Sequence, residues 1–366
     1  MNNPGTLVLP LILAAMLAGP LTGCGNVAYY TQAVGGHFDV MGATRPVSEL
    51  IRDPAGDPAL KKQLEDVQAL REFASRELAL PDNGSYRKYA DLGRPFVVWN
   101  VFAAPEFSLQ PKSWCMLMVG CVNYRGYYDR EQAERLAADL RQEGYDTHVG
   151  GVAAYSTLGW FDDPVLNTFL RHGTLEVART VFHELAHQLM FVKNDSAFNE
   201  SFATAVENEG MRRWMASPAA AGQRAAYEAQ RARRAGFATL MRDYRKKFEV
   251  LYASPGPDAA RRQAKADLLD ALRRDYATLR AGPGGRAGDD TLPATDFNNA
   301  RLVSFSLYNE LVPAFEILLA QEDHDLPRFY QRAAELAALD KHARCAALAR
   351  LLPANLTDTP VCTAEG

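Results

Sequence analysis

The chain has 366 residues, 48% of them hydrophobic and 23% charged, with a formal net charge of -4. That length can bury one large core or two modest ones, and so ordinary a composition excludes a fibrous or largely disordered chain. The mild acidity provides none of the basic field that draws nucleic acid, so no nucleic-acid partner is expected.

The chain starts with an apolar run at residues 7–21, with no Lys or Arg before it. The run is shorter than the roughly twenty residues a membrane-spanning helix needs and suits the core of a secretory signal. It ends in Leu21-Thr22-Gly23-Cys24, which resembles a bacterial lipobox. The resemblance implies a signal peptide over 1–23 and a lipid on Cys24, through which the chain contacts a membrane. Acyl chains contribute about 0.8 kcal/mol per buried CH₂, so several of them anchor a protein firmly. Gly25 follows in place of the Asp that often retains lipoproteins at the inner membrane. The expected location is therefore the bacterial cell envelope, at the outer membrane and facing the periplasm. The other cysteines, Cys115, Cys121, Cys345 and Cys362, are an even set, as an oxidising compartment favours. The local pairs Cys115–Cys121 and Cys345–Cys362 are expected, although four cysteines also allow other pairings. Their spacings do not match a zinc ribbon.

Along the mature chain, residues 29–40 place Tyr30, Ala33, Val34 and Phe38 at helical spacing, with Gly35-Gly36 as a weak point. Pro46 and Pro58 open two further helical stretches, 47–52 and 59–80. The β-branched and aromatic run at 95–102 reads as a strand, 119–128 as a second strand or hairpin arm, and 147–157 as a third. Between the last two, 130–143 is an amphipathic helix stopped by Gly144. From Asp163 onward the pattern is helical, over 175–192 and 196–214. The stretches 220–251 and 257–279, rich in Ala, Arg, Lys and Glu, form a helical hairpin whose charged face suits solvent, a lid or a protein partner. A Gly- and Pro-rich loop at 281–293 precedes helices at 298–321, 326–339 and 342–351. The expected fold is α+β and mostly helical. It is a single domain over 24–366, with an α+β core at 95–214, a helical hairpin at 220–280 and C-terminal helices at 295–351.

The chemistry concentrates in His183-Glu184-Leu185-Ala186-His187, an H-E-x-x-H pattern. Residues four apart share one helix face, so His183 and His187 can bind one metal ion, and zinc prefers such nitrogen donors. Glu184, one position round, can take a proton from a water on the metal. The flanking Val177, Ala178, Val181, Phe182, Leu185 and Leu189 make this a buried helix. Unpaired polar groups there cost several kcal/mol, and one zinc ion per chain would satisfy them together.

Downstream, Asn199-Glu200-Ser201-Phe202-Ala203-Thr204-Ala205-Val206-Glu207 resembles the N-E-G-F-A-x-x-x-E helix of gluzincin aminopeptidases. The resemblance implies Glu200 as third ligand, with Glu207 orienting a ligand His. Only twelve residues separate His187 from Glu200, fewer than is typical of that family, so Glu207 is the alternative ligand. Gluzincins also place a substrate-pairing edge strand upstream of the zinc helix, and 153–159 occupies that place. The Gly- and Glu-bearing strand motif that holds the substrate amine in the best-known aminopeptidases is absent.

Taken whole, the chain resembles a family of bacterial predicted aminopeptidases with lipoprotein signals. Besides the zinc motif, the resemblance rests on Tyr29-Tyr30-Thr31-Gln32-Ala33, Trp99-Asn100-Val101, Gly120-Cys121-Val122-Asn123-Tyr124-Arg125-Gly126-Tyr127, Tyr155-Ser156-Thr157-Leu158-Gly159-Trp160-Phe161 and Asn298-Asn299-Ala300-Arg301-Leu302. It implies a zinc metallopeptidase acting on peptides, with Glu184 as general base. Tyr308 or Tyr155 would be the donor to the oxyanion, while His148, His172 and His324 have no assigned role. The alternatives are an envelope scaffold with a structural metal site and a partner at 220–280, or a zinc amidase or endopeptidase. A structural site needs no Glu184 and is usually closed by a fourth protein ligand.

Overall fold

The computed structural model describes residues 24–116, 120–282, 297–306 and 311–352. The expected signal peptide, Tyr308 and Cys362 lie outside them. The first helix, α1 (Cys24–Gly42), is longer than expected and leads into a short strand β1 (Arg45–Pro46) and helix α2 (Val47–Arg52). Helix α3 (Pro58–Leu78) begins where Asp57 accepts a hydrogen bond from the Ala59 amide and Pro58 fills the first helical position. There follow β2 (Lys88–Ala90), β3 (Val98–Pro105), β4 (Trp114–Met116), β5 (Gly120–Val122) and β6 (Arg125–Tyr127). Helix α4 (Arg130–Gln142), capped by Asp129, and β7 (Tyr145–Val152) complete this region.

The main sheet has the order β6-β3-β7 and is antiparallel throughout. Its alternation decides what each face does. Trp99, Val101 and Ala103 face Ala133, Ala137 and Leu140 of α4, while Asn100, Phe102 and Ala104 point the other way. Two small sheets accompany it, β1-β2-β8, with β8 at Val165–Leu166, and the hairpin β4-β5. The expected strand at 95–102 begins three residues later, because its extent is set by the ladder from Val98↔Val152 to Pro105↔Tyr145. The expected strand at 147–157 ends at Val152. Residues 153–159 run on outside any ladder, so the proposed edge strand is not a strand there.

The rest is helical: α5 (Asn167–Leu170), α6 (Thr174–Leu189), α7 (Ser196–Ala216), a 3-10 turn at Pro218–Gln223, α8 (Arg224–Ala253), α9 (Asp258–Ala281), α10 (Asn299–Ser306), α11 (Val312–Gln321), α12 (Leu326–Ala337) and α13 (Lys341–Ala349). The protein is thus α+β and mostly helical. The largest core joins α3, α6, α7, α11 and α12 through residues such as Leu64, Phe182, Phe202, Phe315 and Phe329. The hairpin of α8 and α9 lies against the body. Tyr244, Phe248, Leu272 and Tyr276 are buried with Ala104 and Leu302, and Lys265 bonds Asp146 at 2.7 Å. No helix among the described residues is long and apolar enough to cross a membrane.

Helix α1 closes one edge of the sheet. The Gln32 amide donates to the Gly126 carbonyl (3.3 Å) and accepts from the Tyr128 amide (3.1 Å), taking the place of a neighbouring strand along β6. Gly36 permits this approach, since a Cβ there would stand 2.2 Å from Tyr128 Cγ.

Candidate metal centre

Helices α6 and α7 form an antiparallel pair joined by residues 190–195, and this explains how a short spacer suffices. His187 lies in the last turn of α6 and Glu200 near the start of α7. Running back along α6 from His187 to His183 to Arg179 matches running forward along α7 from Glu200 to Glu207, at about 1.5 Å per residue. The joint is tied twice by Asn199, whose side chain accepts from the Val192 amide (2.7 Å) and donates to the Val192 carbonyl (2.8 Å). Asp195 caps α7 through the Phe198 amide (3.1 Å) and is itself held by the buried Arg344 of α13 at 2.7 Å. The Asn in the Asn-Glu motif therefore shapes the turn that delivers the Glu.

Glu200 Oε2 lies 3.3 Å from His183 Nε2 and 3.6 Å from His187 Nε2. One ligand atom from each of the three residues falls within 4.8 Å of the others. Three tetrahedral ligands at 2.0–2.1 Å from zinc stand about 3.3 Å apart, and the two distances lie near that value, so the group could hold a metal ion. No other such group occurs among the described residues. Glu207 Oε2 faces the opposite ring nitrogen of His183, Nδ1, at 3.2 Å, and its Oε1 accepts from Arg179 at 2.7 Å. A ring that met an ion through Nε2 could not offer it Nδ1 as well, so Glu207 lies on the far side of His183 from the group formed by His183 Nε2, His187 Nε2 and Glu200 Oε2. His187 Nδ1 is buried and has no hydrogen-bond partner among the described residues.

The electrostatics are those of a crowded, largely buried site. Burial alone would raise Glu200, but His187 and His183 hold it well below the usual carboxylate range. Burial likewise opposes the charge on Glu207, and His183 and Arg179 prevail, holding it low. Glu184 is raised, chiefly by burial. Beyond His187, Gln188 fixes the end of α6. It accepts from Asn83 at 2.7 Å and donates to Asp163 at 2.8 Å and Ser85 at 3.1 Å. The buried Arg71 holds the 81–85 loop beneath it through the Pro81, Asn83 and Ser85 carbonyls.

Two tyrosines that sequence reasoning missed approach this site. Burial, followed by the charges of Glu200 and Glu184, pushes the Tyr124 hydroxyl well above the usual range. Tyr124 sits in the turn between β5 and β6 and packs on Phe102 with ring centroids 5.8 Å apart. That turn is held over the α6–α7 joint, because the Cys121 amide donates to Asn194 Oδ1 at 2.7 Å. Gly120, at φ +79, allows the contact, since a Cβ would stand 2.0 Å from the same oxygen. The adjacent Cys115 and Cys121 are disulfide-bonded. Tyr86 is buried at φ 64, with a partnerless hydroxyl among the described residues that feels Glu184 and Asp163. Neither Tyr124, in the turn between Gly120–Val122 and Arg125–Tyr127, nor Tyr86 carried a local signal of this placement.

The other expected residues lie elsewhere. Tyr155 hydrogen-bonds His37 Nδ1 at 2.9 Å and also bonds Tyr128, away from the ligand group. His148 stacks on Phe102, His172 neighbours Arg171, and His324 stands 3.4 Å from Glu209. Cys345 is disulfide-bonded. A cleft of about 580 Å³ between α1 and the start of α4, lined by Gln32, Asp39, Asp91 and Arg94 among others, contains none of the ligand residues.

Comparison with known families gives one match, a family model described as "Putative aminopeptidase" that covers residues 28–348. No curated protein and no solved structure matches the chain.

Proposed function

This chain belongs to the "Putative aminopeptidase" family, and from that premise we propose that it is a zinc-dependent metallopeptidase trimming the N-termini of peptides in the bacterial envelope. The observation that carries the reading is the convergence of His183 Nε2, His187 Nε2 and Glu200 Oε2 beside Glu184. Zinc in such a set supplies Lewis acidity, enough to bring the pKa of water from 15.7 to about 7.

The chain's own residues do the rest. The Glu184 carboxylate, made more basic by burial, accepts the proton of the attacking water and passes it to the leaving amine. Tyr124, buried and within the electrostatic reach of Glu200 and Glu184, is the candidate hydroxyl donor toward the developing oxyanion. Glu207 keeps the Nδ1 proton of His183 in place, so that Nε2 presents its lone pair. Supported by the apolar run at 7–21 and the Leu21-Thr22-Gly23-Cys24 sequence, the same reading anchors the chain by a lipid on Cys24.

The test is bound metal together with hydrolysis of aminoacyl and internally quenched peptides, for wild type and Glu184→Gln. About one zinc per chain with cleavage of aminoacyl substrates, and a variant that keeps zinc but is inactive, is the expected result. Cleavage only of internal bonds, or only of cell-wall peptides, would move the assignment to an endopeptidase or amidase. Zinc without any hydrolysis would favour the scaffold, and no zinc at all would refute the proposal.

A further inference from the structure

Helix α1 has two unlike faces. One packs on the body through Gln32, Gly36, His37 and Val40. The other presents Val27, Val34 and Phe38, 67%, 54% and 60% exposed, at spacings of seven and four that align them on one stripe. Beside it stand Trp160 and Phe161, 72% and 46% exposed. They belong to the same surface, because His37 on α1 packs against the Phe161 ring at 4.6 Å.

The loop that presents these two aromatics is built to do so. Leu158 and Gly159 both take positive φ, 57 and 81, a conformation that Leu avoids without compensation. The turn is locked by Thr157, whose hydroxyl donates to the Phe161 carbonyl and accepts its amide, at 3.0 and 3.2 Å. The Thr157 amide in turn donates to Asp163. A rigid turn that holds Trp and Phe in water serves no core. Neither α1 nor residues 153–162 carries a Lys or Arg. On the proposed anchoring, on which this inference rests, the lipid sits on Cys24, the first residue of α1, so the stripe lies on the helix that starts at the anchor.

We propose that Val27, Val34, Phe38, Trp160 and Phe161 form a second membrane contact, lying in the headgroup boundary of a phospholipid bilayer and fixing the orientation of the body. Trp and Phe suit that boundary, where one side is apolar and the other wet. Asp39 and Asp162 flank the patch and limit its depth. With no basic residue in it, the contact does not require anionic lipid. It is also rigidly joined to the metal centre, since the loop ends at Asp163, which accepts from Gln188 next to His187. The metal centre is thereby held at a set attitude to the bilayer.

The test uses the full chain in vesicles of zwitterionic lipid and reads tryptophan emission, so its result is independent of catalysis. Trp99 and Trp214 are buried and Trp114 is half-buried, so Trp160 is the most exposed of the four, and its part is obtained by difference from Trp160→Phe. Bromine-labelled acyl chains should quench it, and its quenching by iodide should fall several-fold relative to the detergent-solubilised chain. Val34→Ser combined with Phe38→Ser should restore iodide access while the protein stays on the vesicles. Trp160 equally open to iodide with and without vesicles would overturn the proposal. So would protection that follows protein concentration rather than lipid, which would mean that a second copy covers the patch. Quenching seen only with anionic lipid would overturn it as well.

Discussion

Replacing Glu207 by Gln tests the geometry of the metal centre at one atom. Glu207 now accepts on both oxygens, from Arg179 at 2.7 Å and from His183 Nδ1 at 3.2 Å. Gln has a single carbonyl oxygen, and the shorter bond to the Arg179 guanidinium will claim it. The amide NH₂ then faces His183 Nδ1, which must become an acceptor. The proton moves to Nε2, the atom that points at Glu200, and the ring can no longer offer a lone pair there. Loss of such an orienting partner typically weakens metal binding about 10- to 100-fold, roughly 1.4 to 2.7 kcal/mol. The same amount disappears from the stabilisation by saturating zinc. The metal-free protein also suffers, because Arg179, 4% exposed, loses its counter-charge, at a cost of about 3 to 5 kcal/mol. Chelator competition measures the first effect, and thermal unfolding with and without zinc separates the second. Glu200→Gln should empty the site outright, giving the order wild type, Glu207→Gln, Glu200→Gln. If Glu200→Gln kept most of the affinity and Glu207→Gln lost it, Glu207 would be the ligand and the antiparallel register argued above would be wrong.

Tyr124→Phe should keep zinc and KM but lower kcat roughly a hundredfold, the usual cost of one oxyanion donor; an unchanged kcat removes Tyr124 from the chemistry. Arg344→Met leaves the Asp195 cap charged and unpaired in a buried place. It should cost about 3 to 5 kcal/mol of stability by denaturant titration, and Asp195→Asn combined with Arg344→Met should recover part of that loss. At Glu209, burial alone would raise the carboxyl, but Arg212 and Arg213 hold it below its ordinary value. A depressed folded pKa gives stability that is present above the unfolded value and lost as pH falls through the folded one. Glu209→Gln should therefore lower the melting temperature at pH 7, and the gap to wild type should narrow toward pH 3. A gap that widens in acid would reverse the sign of this argument. The effect is at most modest, since Arg212 is 57% exposed.

Where a fold signal is local, the sequence carried it. Pro58 announced α3 and Gly144 the end of α4, and the structure adds the Asp57 and Asp129 caps, which act within one turn. The hairpin of α8 and α9 was legible from composition and periodicity, although its burial against Ala104 and Leu302 was not. Strand ends were misjudged because pairing, not propensity, ends a strand. Val97 and Phe96 are good strand residues, yet the β3 ladder starts at Val98 and runs on through Ala103, Ala104 and Pro105. The sheet of β1, β2 and β8 rests on two register pairs at each contact, too few for any periodicity to reveal.

The site divides along the same line. His183, Glu184 and His187 share one helix, so their proximity follows from the period alone. Glu200 needed the turn at 190–195, and the Asn199 bonds to Val192 that set it are local enough to leave a mark beside the Glu. Tyr124 has no such mark. Its approach to Glu200 depends on Gly120 meeting Asn194, on β6 pairing with β3, and on Phe102 backing the ring. Each of these contacts joins segments far apart in the chain. Tyr155, which looked as suitable in sequence, is drawn off by His37 of α1. A tyrosine's role here is decided by which distant segment reaches its hydroxyl first, and that choice is made by tertiary packing. The cluster of His183, His187 and Glu200, drawn from two helices and the short turn that joins them, could be read from a single sequence, whereas the burial of Tyr124 near it could not.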